Sequence, residues 1–198
     1  MTQERTPEYS VDPLFPQRWS PRALTGEPIE EATLLSFFEA ARWAPSAYNS
    51  QPWRFIYGRA GNPAWQPIFD ALIPFNQEWA QRASALVVVL SKTRWVPPGK
   101  DEAQALDTHA FDTGAAWASL AFQARLAGWY THAQGGFDHA VLRRNLSIPD
   151  DYAIHAIVAI GRLGDKAILP EGLQVREQPN ERQPVKALAA EGSFAFGS

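Results

Sequence analysis

The 198-residue chain has no cysteine. Disulfides, thiolate nucleophiles and cysteine metal sites are excluded together. Positive charge is also short: 18 Lys and Arg stand against 21 Asp and Glu, for a net charge of −3. A chain so balanced lacks the basic face that nucleic-acid phosphates require. Long apolar runs are missing as well. The strongest candidate, "GAAWASLAF" from Gly114 to Phe122, ends at Gln123, well short of the ~20 residues of a membrane span. The opening "MTQERTPEYSVDPLFPQ" has no apolar centre of signal-peptide length. The expectation is a cytoplasmic protein with neither membrane nor nucleic acid as partner.

Familiar catalytic spacings are absent too. His109, His132, His139 and His155 show no HExxH or comparable ligand pattern, so no metal is expected. There is no G-x-S-x-G elbow and no Walker loop, and "GRLG" (Gly161–Gly164) is too short for a dinucleotide fingerprint. A nucleotide cofactor here must be held without a Rossmann turn.

Hydrophobic residues, at 45%, suffice for a real core. Residues 1–26 read as an extended, proline-punctuated arm, and residues 27–198 as one α+β domain. Leu34, Leu35, Phe38 and Ala41 recur at helical spacing between Pro28 and Trp43, and Pro45 stops that helix. "WRFIYG" (Trp53–Gly58), "SALVVVLS" (Ser84–Ser91), "WYTHA" (129–133) and "AIHAIVAIG" (Ala153–Gly161) have strand composition. Short helices are expected within 64–82 and at Asp138–Leu146, and a last one at Val185–Glu191. The longest helix runs from Leu106 to Ala127 before Gly128. It is apolar nearly all round and so needs cover on most faces.

Three clusters carry chemistry. In "RWSPR" an extended backbone points Arg18, Ser20 and Arg22 the same way. Two guanidinium forks flanking a hydroxyl suit a phosphate, and equally a solvated surface. In "APSAYNSQPW", Asn49 and Gln51 offer paired donors and acceptors to a heterocycle, though Pro, Asn and Ser also make turns. In "HAQGGFD", Gly135 and Gly136 let backbone approach a flat ligand, or act as a hinge.

Taken in order, "QRWSPRAL", "EAARWAPSAYNSQPWRF", "DTGAAWASLAFQARLAG", "HAQGGFD", "IVAIG" and "NERQPVKAL" resemble the FMN-dependent nitroreductase family, from about Gln17 to Glu191. The resemblance implies a single α+β domain with a central, mostly antiparallel sheet flanked by helices. It also implies an intertwined homodimer with FMN at the subunit interface. Arg18, Ser20 and Arg182 would hold the FMN phosphate, and Arg22 would lie nearer the pyrimidine edge. Asn49 would hydrogen-bond the ring system with Gln51 beside it, within one chain or across the subunit boundary, and Gly135 and Gly136 would lie near the hydride-accepting nitrogen. Two positions depart from some relatives: Asn180 stands at a lysine position and Gly135 at an acidic one.

The implied activity is hydride transfer from NADH or NADPH, through FMN, to a nitro compound, quinone or similar planar acceptor. No protein general acid is assigned. The resemblance equally admits a specialised reductase or dehalogenase, or a flavin-binding protein without turnover. Phe75, Trp79 and Trp95 could stack on an acceptor or simply pack. Phe194 and Phe196 could pack on a partner chain.

Overall fold

Asp12 caps the first structured turn: its Oδ1 accepts the Leu14 N–H at 2.8 Å. The short helix α1 (Leu14–Gln17) follows, so the N-terminal arm is not extended throughout. The structure, a computed structural model, describes residues 5–196. Helix α2 (Glu31–Arg42) buries Leu34, Phe37 and Ala41, one stripe at helical spacing. Here the sequence phase shifts slightly: Leu35 is exposed and Phe37, rather than Phe38, is fully buried. Pro28 stays outside the helix, which starts three residues later than expected.

Strand β1 (Trp53–Arg59) leads to α3 (Gln66–Phe69) and α4 (Pro74–Ala80). Next come β2 (Ala85–Lys92) and two two-residue strands, β3 (Arg94–Trp95) and β4 (Gln104–Ala105), which pair with each other. Helix α5 (His109–Leu126) is the longest element, followed by β5 (Tyr130–Gln134), α6 (His139–Asn145), β6 (Tyr152–Gly161) and α7 (Glu171–Gln174). The expected final helix is a 3-10 turn at Val185–Ala187.

Four strands form the main sheet in the order β1-β2-β6-β5, every neighbour antiparallel. Strand β2 is buried on both faces, which accounts for its consecutive apolar residues. Ala85, Val87 and Val89 pack with α2 and α5 residues such as Phe37 and Leu120. Leu86, Val88 and Leu90 pack on the opposite side with Ile68, Trp79 and Leu142.

The β2–β6 register slips once. Val89 pairs with Ala156 and Leu90 with Ile154, leaving His155 as the extra residue of a bulge. Beyond β6, an isolated bridge between Leu24 and Leu163 fastens the arm to the sheet's end.

Within the described chain, α5 is covered by α2, α1 and the sheet, and only Ala110, Phe111, Gly114 and Leu126 are left exposed. Asp112, Thr113, Ala116, Leu120, Ala121 and Ala124 are buried, whereas Phe111 and Leu126 are largely exposed. No helix among the described residues is long and apolar enough to cross a membrane.

Candidate functional site

The arm and the C-terminal segment meet over a cavity of about 420 Å³ lined by Arg5, Arg18, Arg22, Arg176 and Arg182 together with Ser20 and His132. No carboxylate lines it. Five guanidinium groups, with the Glu181 charge offsetting part of the crowding at Arg5, describe an anion site. The Arg18 fork donates to Ser20 Oγ at 3.4 Å, as the alternation of "RWSPR" anticipates. Burial, then the nearby Arg182 and Arg5, hold the Arg18 guanidinium below its ordinary value. Crowded cations with depressed pKa values are relieved by a bound polyanion.

Arg5 supplies a cation that sequence reasoning missed. Its guanidinium donates to the Arg18 carbonyl at 2.7 Å and to the Asn180 carbonyl at 3.3 Å. Arg182 donates to the same Asn180 carbonyl at 3.3 Å. Asn180 therefore offers backbone oxygen, not side-chain charge, to the cavity wall.

Glu177 anchors the arm behind Arg22. Its buried carboxylate accepts the N–H groups of Arg22 and Ala23 through Oε1, both at 2.7 Å. This clamp ties the arm to the chain after α7 and sets where Arg22 emerges.

His132 Nδ1 lies 3.0 Å from the Pro21 carbonyl. A carbonyl only accepts, so Nδ1 carries the proton and Nε2 is bare. Burial first, and the Arg22 charge, pull the His132 pKa down to about 4 against the raising effect of the Pro21 carbonyl. Its ring packs on Trp79 with centroids 4.6 Å apart. Trp79 is thus core, only 1% exposed.

Three residues beyond His132, about 10 Å along a strand, β5 has ended at Gly135 and Gly136. An added Cβ on Gly136 would meet Asn76 Nδ2 at 2.6 Å and Ile73 Cδ1 at 2.7 Å, so both side chains would have to move to admit one. Asn76 Nδ2 and the Ile73 N–H both donate to the Gly136 carbonyl, at 2.9 and 3.1 Å. That pulls the carbonyl inward, while the N–H groups of Gly135 and Gly136 donate to no carbonyl among the described residues. Nothing stands within 4 Å of a Cβ on Gly135.

Beside them Gln134, 4% exposed, leaves both Oε1 and Nε2 without partners. Orphaned buried amides cost about 1–3 kcal/mol. A flat heterocycle with carbonyls and ring N–H groups would satisfy them. An anion cavity, free backbone donors and an unpaired amide thus suit a phosphorylated flavin.

Asn49 and Gln51 lie elsewhere. Three of the four described non-glycine residues with positive φ fall in this loop: Tyr48 at 53°, Asn49 at 52° and Gln51 at 46°. Gln51 is held by its N–H on Ser46 Oγ at 3.1 Å and by its Nε2 on the Asn49 carbonyl at 3.1 Å. Both side chains are exposed and neither lines the arginine cavity. Tyr48 stacks on Trp95, centroids 5.2 Å apart, and Phe75 is partly exposed.

The structure therefore brings Arg18, Ser20, Arg22 and Arg182 together. It sets Gly135 and Gly136 at the end of the strand that leaves the same cavity, and it leaves Asn49 and Gln51 on a separate, outward loop. Arg5, Arg176, His132 and Glu177 join the site unannounced. Of these only His132 carried a signal, its position three residues before the glycine pair.

Residues 16–162 match the model of the nitroreductase family. A crystal structure described as an oxidoreductase containing FMN is 45% identical, with all of both chains covered and a TM-score of 0.94. A protein from Rhodopseudomonas palustris, provisionally named an NADH dehydrogenase/NAD(P)H nitroreductase, is 27% identical over 69% of this chain and 76% of its own. An uncharacterised 15.4 kDa protein of Mycolicibacterium smegmatis is 33% identical over 71% of this chain and 97% of its own.

Proposed function

The chain belongs to the nitroreductase family, and on that premise we propose that it is an FMN-dependent oxidoreductase. In this reading it passes hydride from NADH or NADPH to a small planar electrophile such as a nitroarene or quinone. The observation that carries the reading is the five-arginine cavity lying one short strand segment from the open N–H groups of Gly135 and Gly136.

Arg18, Ser20, Arg182 and Arg5 take a terminal monophosphate. Arg22, set by the Glu177 clamp, faces the pyrimidine edge, where a cation favours the reduced anion. Gly135, Gly136 and the Gln134 amide meet the ring's polar edge. FMN, when bound, supplies the two-electron chemistry, and the protein supplies orientation and electrostatics.

Asn49 and Gln51 face away from their own chain's cavity. They reach a flavin only across a subunit boundary, so the working form is a homodimer. The exposed Phe111 and Leu126 on α5 supply apolar surface for that contact. Isologous dimers are the commonest closed assemblies.

Without a dinucleotide fold, nicotinamide and acceptor use one flavin face in turn, which makes the kinetics ping-pong. Mass spectrometry of released cofactor, followed by NADH or NADPH bleaching of the yellow protein and recolouring by an acceptor, tests the reading. FMN, bleaching and recolouring are expected. FAD alone, or failure to take up FMN, overturns it. Bleaching without recolouring by any acceptor leaves a flavin-binding protein instead.

A further inference from the structure

On the α2/α5 side of the sheet a second, smaller cavity of about 130 Å³ opens beside Ala133, close to the glycine pair. Its walls are mainly apolar, from Val89, Trp117, Ala133 and Ala156. Two polar groups break that surface. Thr113, 1% exposed, contributes an Oγ1 with no hydrogen-bond partner. The other is His155, the bulged residue of β6. Because of the bulge, consecutive residues His155 and Ala156 both line this cavity, which a regular strand would forbid.

His155 does not stand alone. Ser91 Oγ, fully buried, lies 2.6 Å from His155 Nε2 and 2.7 Å from His109 Nδ1. A hydroxyl has one proton, so it donates to one imidazole while the other donates to it. The three groups form a continuous hydrogen-bonded chain from α5 to the cavity.

Resting on the flavin reading above, we propose that this cavity seats the acceptor's ring and that His155 protonates it. The occupant is one planar ring bearing a carbonyl or nitro oxygen, with Thr113 Oγ1 donating to that oxygen. For a quinone, hydride originating from the reduced nicotinamide leaves negative charge on the second oxygen. The His155 Nδ1–H bond breaks, an O–H bond forms on that oxygen, and the N–H electron pair stays on Nδ1. Ser91 passes its proton to His155 Nε2 and takes one from His109 Nδ1. His109 is recharged from solvent at Nε2. The sum is quinone, hydride and one solvent proton giving hydroquinone.

Burial first, then the neighbouring His109, holds the His155 pKa below its ordinary value, which keeps the ring neutral and leaves Nε2 open to the Ser91 proton. The charged and titratable groups on the surrounding elements are His109, Asp112 and Arg125 on α5, Lys92 on β2, Arg54, Tyr57 and Arg59 on β1, and Tyr130 and His132 on β5. Asp112 is engaged by Ala47 and Thr108, and Arg54 by the carbonyls of Gln51 and Trp53.

The test uses FMN-loaded protein and 1,4-benzoquinone, which meets no cysteine here. In histidine ¹⁵N NMR of the oxidised holoprotein, benzoquinone should shift the His155 ring nitrogens. Gly114→Leu, which fills the cavity from a position with open space around it, should abolish the shift. In stopped flow, His155→Gln should slow reoxidation by benzoquinone about a hundredfold and remove its solvent isotope effect, an effect far larger than any change in reduction by NADH. Thr113→Val should raise the benzoquinone KM roughly tenfold, a lost hydrogen bond's worth.

An unshifted His155, or a His155→Gln protein with unchanged reoxidation, overturns the proposal. So does a His155 signal that moves on FMN loading but ignores benzoquinone, since flavin or a partner side chain then fills the cavity. Failure to load FMN, or to be reduced by NADH, sinks the flavin reading itself and is seen before benzoquinone is added.

Discussion

Asp112 Oδ2 accepts the backbone N–H of Ala47 at 3.2 Å and the Thr108 hydroxyl at 3.0 Å. A carboxylate only 4% exposed on α5 thereby pins the entry to the loop where Tyr48, Asn49 and Gln51 are left-handed. Such backbone persists only where its surroundings hold it, at about 1–3 kcal/mol per residue. Asp112→Ala should therefore cost about 1–3 kcal/mol of stability, and Asp112→Asn, which keeps an acceptor, less. Urea denaturation and amide exchange at Ala47 measure both. An Asp112→Ala protein as stable as wild type would falsify the pinning role.

Arg18 and Arg22 should separate affinity from potential. On the proposed placement, Arg18→Ala removes a phosphate partner common to both redox states, so FMN affinity should fall by roughly tenfold or more. On the same placement, Arg22→Ala removes a cation that favours the reduced ring, so the flavin potential should drop more than affinity does. Fluorescence titration and potentiometry read the two quantities. Equal potentials for wild type and Arg22→Ala contradict the assignment.

Acid should destabilise the cofactor-free protein through His132. Its folded pKa of about 4 lies below the unfolded value of 6.5. The unfolded chain binds the proton first, so the contribution is complete above pH 6.5 and lost as pH falls toward 4. Its size is about 3 kcal/mol. Denaturation midpoints of wild type and His132→Asn across that window should converge at the acid end. Parallel curves would rule out the linkage.

Phe111, 83% exposed on α5, should matter to assembly and not to folding. Phe111→Lys is expected to weaken dimerisation by roughly tenfold or more while leaving the circular dichroism of the fold. Light scattering over a dilution series measures it. A variant that dimerises like wild type moves the interface away from this face.

How much of this was legible depended on what each residue had to do. Strand β2 announced itself because burial on both faces forces consecutive apolar residues. Arg18, Ser20 and Arg22 were legible because alternation in an extended segment is simple geometry, and Arg182 because the motif order suggested it. Arg5 and Arg176 were not: a lone arginine in a polar segment reads as surface until folding brings the two chain ends together. The face of α2 was misphased by one residue because Leu34–Leu35 and Phe37–Phe38 are apolar pairs, and periodicity alone cannot choose within a pair. The histidines, dismissed for lack of ligand spacing, were joined by topology. Ser91 and His155 meet across a strand pair, 64 positions apart.

The bulge in β6 also says something about how such a site comes and goes. On either side of His155 the pairs run Val89 with Ala156 and Leu90 with Ile154. Removing His155 would leave Ile154 and Ala156 adjacent in sequence and opposite adjacent residues of β2, with every remaining pair unchanged and each core face keeping its own side chains. Gain or loss of a single codon therefore suffices to install or erase the imidazole, without repacking either core. A gap of one position at His155 is the mark such an event would leave.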